Sequence, residues 1–201
     1  MLKFLIIIII ILFSLEIEET ENLIETLSKN KDILMNPFQR FRKETAILTG
    51  GVKDDFNSLT IGWGQIGILW QKPVMIVYVK KERYSWEFME KGKYFTVSFL
   101  KRKHRKKLGF LGSKSGRDIK NKEKEAGLHI IKKGPGLGII FEESVETYVC
   151  KLLYKHNIVY DVLDQDVKKF YDYAAENYGQ SKIPHTEYIG EIIAHYYDKN
   201  Q

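Results

Sequence analysis

Three short stretches of this 201-residue chain hold residues whose types and spacing could do chemistry. The first is NSLTIGWGQ, residues 57–65, where Gly62 and Gly64 flank Trp63 and Gly67 follows. Glycine weakens a strand, so two glycines around a Trp need a reason. One reason is a β-bulge at a barrel corner. The other is a main chain stripped of Cβ atoms, against which a planar ring with donors and acceptors along its edge could lie. The second stretch is KKERYSWEF, where a strand gives way to a helix. Arg83 offers a planar fork suited to phosphate and Ser85 adds a hydroxyl. The free N–H groups of the helix start complete an anion site; the plainer reading is a capped helix with an exposed Arg. The third is LGSKSGRDIKNK, a Ser- and Gly-containing loop with several cations. Its composition suits a phosphate nest, but it lacks the Lys-Ser/Thr ending of a P-loop and follows no hydrophobic strand, which argues against an NTPase.

Other chemistries find little support. The histidines at 104, 129, 156, 185 and 195 are scattered, and none stands at ligand spacing from Cys or another His, so no metal site is expected. No Gly-x-Ser-x-Gly elbow occurs. The single cysteine, Cys150, reads as a small buried hydrophobe in a strand, and the fold owes nothing to a disulfide. His185, just after Pro184 at the start of the last strand, stands where a pocket could open.

The charge is local. Residues 101–124 hold eleven Lys or Arg against two acids, Asp118 and Glu123, in a chain whose net charge is +6, so the remainder is net acidic. The run KRKHRKK (101–107) lacks interleaved aromatics and any recognition motif, so it reads as a solvated helix face and no specific nucleic acid is expected. It could also draw a phosphorylated dinucleotide toward a nearby pocket.

The elements that must position these groups are mostly strands. TAILTGG is an apolar run stopped by Gly50 and Gly51, and VKDDFN is a turn. KPVMIVYVK is a continuous β-branched strand, KYFTVSFL alternates, GLGIIFEESVETYVCKLLYK is a long strand or strand pair, and HTEYIGEIIAHYY closes the chain. RYSWEFMEKG reads as a short helix ending at Gly92, and DQDVKKFYDYAAENYG as a helix with an Asp N-cap and a terminal Gly. The basic region holds one or two short helices and a loop. Many strands with short helices between them argue against a doubly wound fold and favour a mainly β, closed or partly open antiparallel barrel with peripheral helices.

The first residues differ. Residues 1–19, MLKFLIIIIIILFSLEIEE, carry one Lys and then an apolar run, Phe4–Leu15. That run falls short of the ~18–20 residues of a comfortable span and fits a signal h-region, although no small-x-small cleavage site follows. We expect a signal peptide or anchor at 1–19, with membrane association through residues 4–15, a polar, partly helical linker at 20–41 and one domain at 42–201. The chain would be exported or membrane-anchored if the leader acts, and cytoplasmic otherwise.

Taken together, these stretches resemble the flavin reductase-like family, FMN-binding split barrels that include flavoredoxin. The similarity lies in NSLTIGWGQIGILWQKPVMIVYVKKERYSWEFMEKGKYFTVSF, then LGFLGSKSGRD, then PHTEYIGEIIA, in the family's order. It implies a six-stranded Greek-key split barrel, a homodimer, and one FMN per subunit near the dimer interface. By motif it implies that Asn57, Ser58, Thr60 and Trp63, with the backbone at Gly62, line the ring and ribityl part. Arg83, Tyr84 and Ser85 would hold the phosphate, helped by Lys114, Ser115 and Lys122. His185, as the catalytic candidate, and Tyr188 would approach from the last strand. The implied activity is transfer of electrons from NAD(P)H through FMN to a flavin or other small acceptor; the alternatives are an FMN electron carrier fed by a protein donor and a basic binding protein that has lost its flavin.

Overall fold

A computed structural model describes residues 40–52, 54–132 and 138–198; the expected leader and most of the expected linker lie outside them. The main sheet has seven strands: β1 (Ala46–Val52), β2 (Asp55–Ile61), β3 (Gly64–Leu69), β4 (Lys72–Val79), β5 (Tyr94–Leu100), β8 (Ser144–Asn157) and β9 (Thr186–Tyr197). They lie in the order β2-β1-β5-β8-β9-β4-β3 with every neighbouring pair antiparallel. β6 (Ile130–Lys132) and β7 (Ile139–Phe141) form a separate ribbon.

β2 and β3 occupy opposite edges of this sheet, yet only Gly62 and Trp63 separate them in the chain. Three residue steps reach at most ~10 Å. The two edges must therefore approach each other, and the sheet must curl into a barrel whose seam is Gly62–Trp63. The core agrees, since Leu59 and Ile61 from one edge join Met75 and Val77 of β4, next to the other, in one cluster with Val97, Phe99, Cys150 and Ile192. Counting β2 and β3 as one bent strand gives the expected six; the separate count is seven because the halves pair with different neighbours, β1 and β4.

Both faces of β1 are covered. Ala46 and Leu48 face the barrel core, while Ile47 faces a second cluster with Leu100, Leu108, Leu111 and Phe141. This explains its unbroken apolar run. Gly50 and Gly51 do not stop the strand, as the sequence suggested. It runs through them to Val52 because a Cβ on Gly50 would meet the Met89 side chain at 2.9 Å, where helix α1 (Tyr84–Lys91) packs down. Gly51 has φ +90°, a conformation open to glycine. β2 starts at Asp55, so the turn before it is shorter than expected.

The basic region forms a 3₁₀ turn (Arg102–His104), helix α2 (Lys106–Ser113) and one helical turn, α3 (Lys122–Glu125). The run 101–107 is less a solvated face than a set of tethers. Lys101 pairs with Asp198 at 2.6 Å, Arg105 with Glu44 at 2.8 Å and Lys107 with the buried Glu143 at 3.0 Å, while Arg102, Lys103 and Lys106 are exposed. Helix α4 (Gln165–Tyr178) has the expected ends: Asp164 accepts from the Asp166 N–H at 2.9 Å, and Gly179 closes it at φ 61°.

Candidate functional site

A groove runs along β2 beneath α1 and α2. Its first chamber, about 570 Å³, is walled by Thr60, Gly62 and Trp63 on one side, Tyr78, Lys80 and His185 on the other, and by Gly179–Ser181 beyond α4. Its second, about 360 Å³, lies between Asn57, the start of α1 and the loop 113–118, with Lys122 at its base. Leu59, Glu82, Arg83 and Gly112 line both, so the chambers are continuous. Together they fall within the usual size of a small-ligand site.

The seam positions the first chamber. Trp63 is 47% exposed and rests its ring 4.9 Å from His185 and 5.6 Å from Phe170 of α4. The flanking glycines have different causes. A Cβ on Gly64 would sit 2.5 Å from the Phe41 ring, so that glycine serves core packing. At Gly62 a Cβ would meet nothing closer than 3.7 Å, so its bareness leaves main chain open to the chamber. Neither is a bulge, for the β1–β2 and β3–β4 registers are regular up to the break. Burial and then Lys80 hold the His185 imidazole down from 6.5 to about 4, against a weaker pull from Glu82. It is neutral at pH 7 and shares a 3.0 Å hydrogen bond with the Tyr171 hydroxyl. Tyr78, shifted up to about 12 by burial and by Glu187, keeps its proton and donates to Glu187 at 3.1 Å.

The second chamber is a cation-lined end. Arg83 stands at the N-cap position of α1 and donates to the Gly112 carbonyl at 2.8 Å, fixing the guanidinium between the chambers. Lys122 is buried, and its ammonium donates to the Lys114 carbonyl at 3.2 Å. Burial lowers its pKa, the neighbouring Glu123 works the other way, and Arg83 lowers it further. Such an ammonium gains from an anion placed beside it. The buried Asn57 amide donates to the Ser85 hydroxyl, and Gly116 fits against it because a Cβ there would overlap the Asn57 oxygen. Arg117 donates to Glu87 at 2.6 Å and to the Glu82 carbonyl at 3.2 Å, and lies 4.9 Å from the Tyr84 ring. It ties the loop to α1.

The structure therefore brings together eleven of the expected residues: Asn57, Thr60, Gly62, Trp63, Arg83, Tyr84, Ser85, Lys114, Ser115, Lys122 and His185. Two stand apart. Ser58 shares its hydroxyl with Thr49 at 2.8 Å and gives its N–H to Glu123 at 2.8 Å, so both groups are taken up away from the groove. Tyr188 is fully buried in the barrel core and donates to Glu90 at 2.8 Å. Sequence reasoning missed Lys80, Glu82, Gly112 and Arg117 as groove residues. Each lies next to an expected residue or within a quoted loop, so proximity was the available signal.

A profile of the flavin reductase like domain matches residues 38–201. The chain belongs to this family. Among solved structures, flavoredoxin from Methanosarcina acetivorans superposes with a TM-score of 0.58 at 19% identity, covering 78% of this chain and 69% of that one. An FMN-binding protein from Thermus thermophilus with bound p-hydroxybenzaldehyde gives 0.56 at 19%, covering 78% and 72%. An NADH:FAD oxidoreductase from Streptomyces globisporus, in complex with NAD and FAD fragments, gives 0.57 at 13%, covering 86% and 85%. At these identities the likeness is one of fold, and it is the split barrel of the family. The search of curated proteins finds no significant match.

Proposed function

We propose that this family member binds FMN in the two-chamber groove and acts, as a homodimer, as an NAD(P)H-dependent flavin oxidoreductase that passes electrons to a flavin or another small acceptor. One observation carries the reading: a flat-walled chamber joins a cation-lined chamber through Arg83, and the donor set of each suits one end of a flavin mononucleotide. Bound flavin would supply the redox chemistry, and the protein binding, orientation and electrostatics.

The chain's own groups have separable tasks. Arg83, Lys122 and the first N–H groups of α1 hold a phosphate dianion. Main chain around Gly62 would meet the ring edge, and Trp63 with His185 would shield it from water. A neutral His185 offers a polar contact without adding positive charge to the ring end. Among the described residues the groove holds no Ser-His-Asp or similar relay, and a hydride passed to a flavin needs no protein nucleophile.

The test is an absorption titration of the purified full chain with FMN and with riboflavin, followed by anaerobic addition of NADH or NADPH. The expected results are micromolar or tighter FMN binding, weaker riboflavin binding, and bleaching by a nicotinamide. A chain that refuses FMN overturns the site. A chain that binds FMN, is reduced by dithionite and stays oxidised with both nicotinamides overturns the reductase activity and points to a carrier fed by a protein donor.

A further inference from the structure

Helix α4 braces the ring end of the groove with two neighbouring aromatics. Phe170 lies against Trp63, and the buried Tyr171 reaches His185, which stands just before β9. The Tyr171 hydroxyl is 3.0 Å from His185 Nδ1. Two proton placements satisfy that distance, and the supply of partners decides between them. Among the described residues, Nδ1 is the one hydrogen-bond acceptor within reach of the hydroxyl. Were Nδ1–H the donor, the phenol proton would be buried with no acceptor, which folded proteins avoid. Burial raises the Tyr171 pKa, and the His185 main-chain N–H works against that rise by donating to the same oxygen. The oxygen's accepting side is thus already served, and its proton is left for Nδ1. The imidazole is neutral, because burial and then Lys80 disfavour its charged form against the pull of Glu82. A neutral ring whose Nδ1 accepts carries its proton on Nε2. Among the described residues Nε2 has no partner and is not a buried orphan, and His185 lines the first chamber, so this nitrogen opens on the groove.

We propose that Tyr171 is a positioning residue: by donating to Nδ1 it fixes His185 in the Nε2–H form, so that the first chamber presents one neutral, aimed donor to an acceptor oxygen or nitrogen on the edge of a bound ring. This deepens the flavin reading of the groove and rests on it. The other tautomer would turn a lone pair toward that acceptor and repel it. An imidazolium would bring a full charge to the ring end. The fixed tautomer gives a single N–H in a single direction, and its bond strengthens as a ring gains electron density. The imidazole has little freedom to turn, held by Trp63 at 4.9 Å between ring centres and by the hydroxyl behind it. Lys80 completes the brace. Its ammonium lies 5.5 Å from the Tyr171 ring centre and donates to the Ser181 carbonyl at 2.7 Å, tying the loop after α4 to the end of β4.

The test is nitrogen-15 imidazole NMR of the full chain at pH 7, with riboflavin and FMN titrations of Tyr171→Phe, His185→Leu and the double variant. The wild type should show His185 protonated at Nε2, and Tyr171→Phe should shift it to a mixture of both tautomers. Each single variant should weaken riboflavin and FMN by the same factor, about three- to tenfold, since the loss lies at the ring end. The double variant should lose no more than His185→Leu alone, because the hydroxyl acts through the imidazole. A wild-type ring protonated at Nδ1 overturns the positioning role, and that spectrum decides the tautomer even where a variant fails to fold. A tautomer unmoved by Tyr171→Phe overturns it as well. So do additive losses in the double variant, which would place the effect of Tyr171 in the packing of α4. A changed tautomer with unchanged riboflavin affinity overturns the donor's part in ring binding. A wild type that has the Nε2–H form and binds neither flavin upholds the tautomer and overturns the flavin reading of the groove.

Discussion

His185 gives the sharpest quantitative prediction. Its folded pKa of about 4 lies below the 6.5 of the unfolded chain, through burial first and Lys80 second. The unfolded state therefore binds the extra proton between these values. The contribution of neutral His185 to stability is fully present above pH 6.5 and is lost as pH falls through 6.5 toward 4. Linkage sets the slope at up to ~1.4 kcal/mol per pH unit; allowing for the part of the ring that still meets solvent, the loss between pH 7 and pH 5 is about 1–2 kcal/mol. Replacing His185 with Gln keeps a polar partner for Tyr171 and removes the titration. Urea unfolding at pH 7 and pH 5 should show wild type losing that amount more than His185→Gln. A ring-proton NMR titration of His185 should stay flat from pH 8 to 5.5. A midpoint near 6.5, or equal pH sensitivity in the two proteins, would refute the reasoning, and with it the neutral role assigned beside Trp63.

Other expectations follow from the same geometry. Lys122→Met should weaken FMN binding by roughly 10–100-fold and leave riboflavin binding unchanged, as a phosphate contact requires; paired isothermal titrations would show it. Gly116→Ala forces a methyl into Asn57, so it should cost about 1–3 kcal/mol in thermal or urea unfolding and loosen FMN, whereas Gly109→Ala, with nothing within 4 Å of its Cβ on α2, should stabilise by about 0.5–1 kcal/mol. The buried Arg40 contacts Glu146 at 2.9 Å and Glu44 at 2.6 Å. Arg40→Met leaves the buried Glu146 carboxylate with Tyr148 and His195 as its partners among the described residues and should destabilise by about 3–5 kcal/mol in chemical denaturation.

Much of the barrel was legible because its signals are local. KYFTVSFL and KPVMIVYVK announced β5 and β4, and Asp164 and Gly179 marked both ends of α4. Gly50 misled because its reason is Met89, a residue 39 positions away that presses on the strand, and Gly51 because it takes a positive φ without ending the strand. Ser58 misled for a subtler reason: the motif was right, but its hydroxyl and N–H are taken up by Thr49 and Glu123, partners distant in the chain. Tyr188 shares that fate within β9. The triad of Asn57, Ser85 and Gly116 was out of reach, because nothing in one sequence says that a strand, a helix start and a loop converge. The basic run showed the complementary failure. Its partners Glu44, Glu143 and Asp198 are dispersed along the chain, so paired charges looked like free ones.

The seam at Gly62–Trp63 joins what happens in the groove to the mechanics of the whole barrel. Two residues act as the clasp of a bracelet, and prying the barrel open must drag them away from His185 and Phe170. Any molecule seated there and gripped at its far end by Arg83 becomes a rivet across the clasp, so cargo and closure share one fate: the loaded barrel should resist proteases and force that the empty one does not.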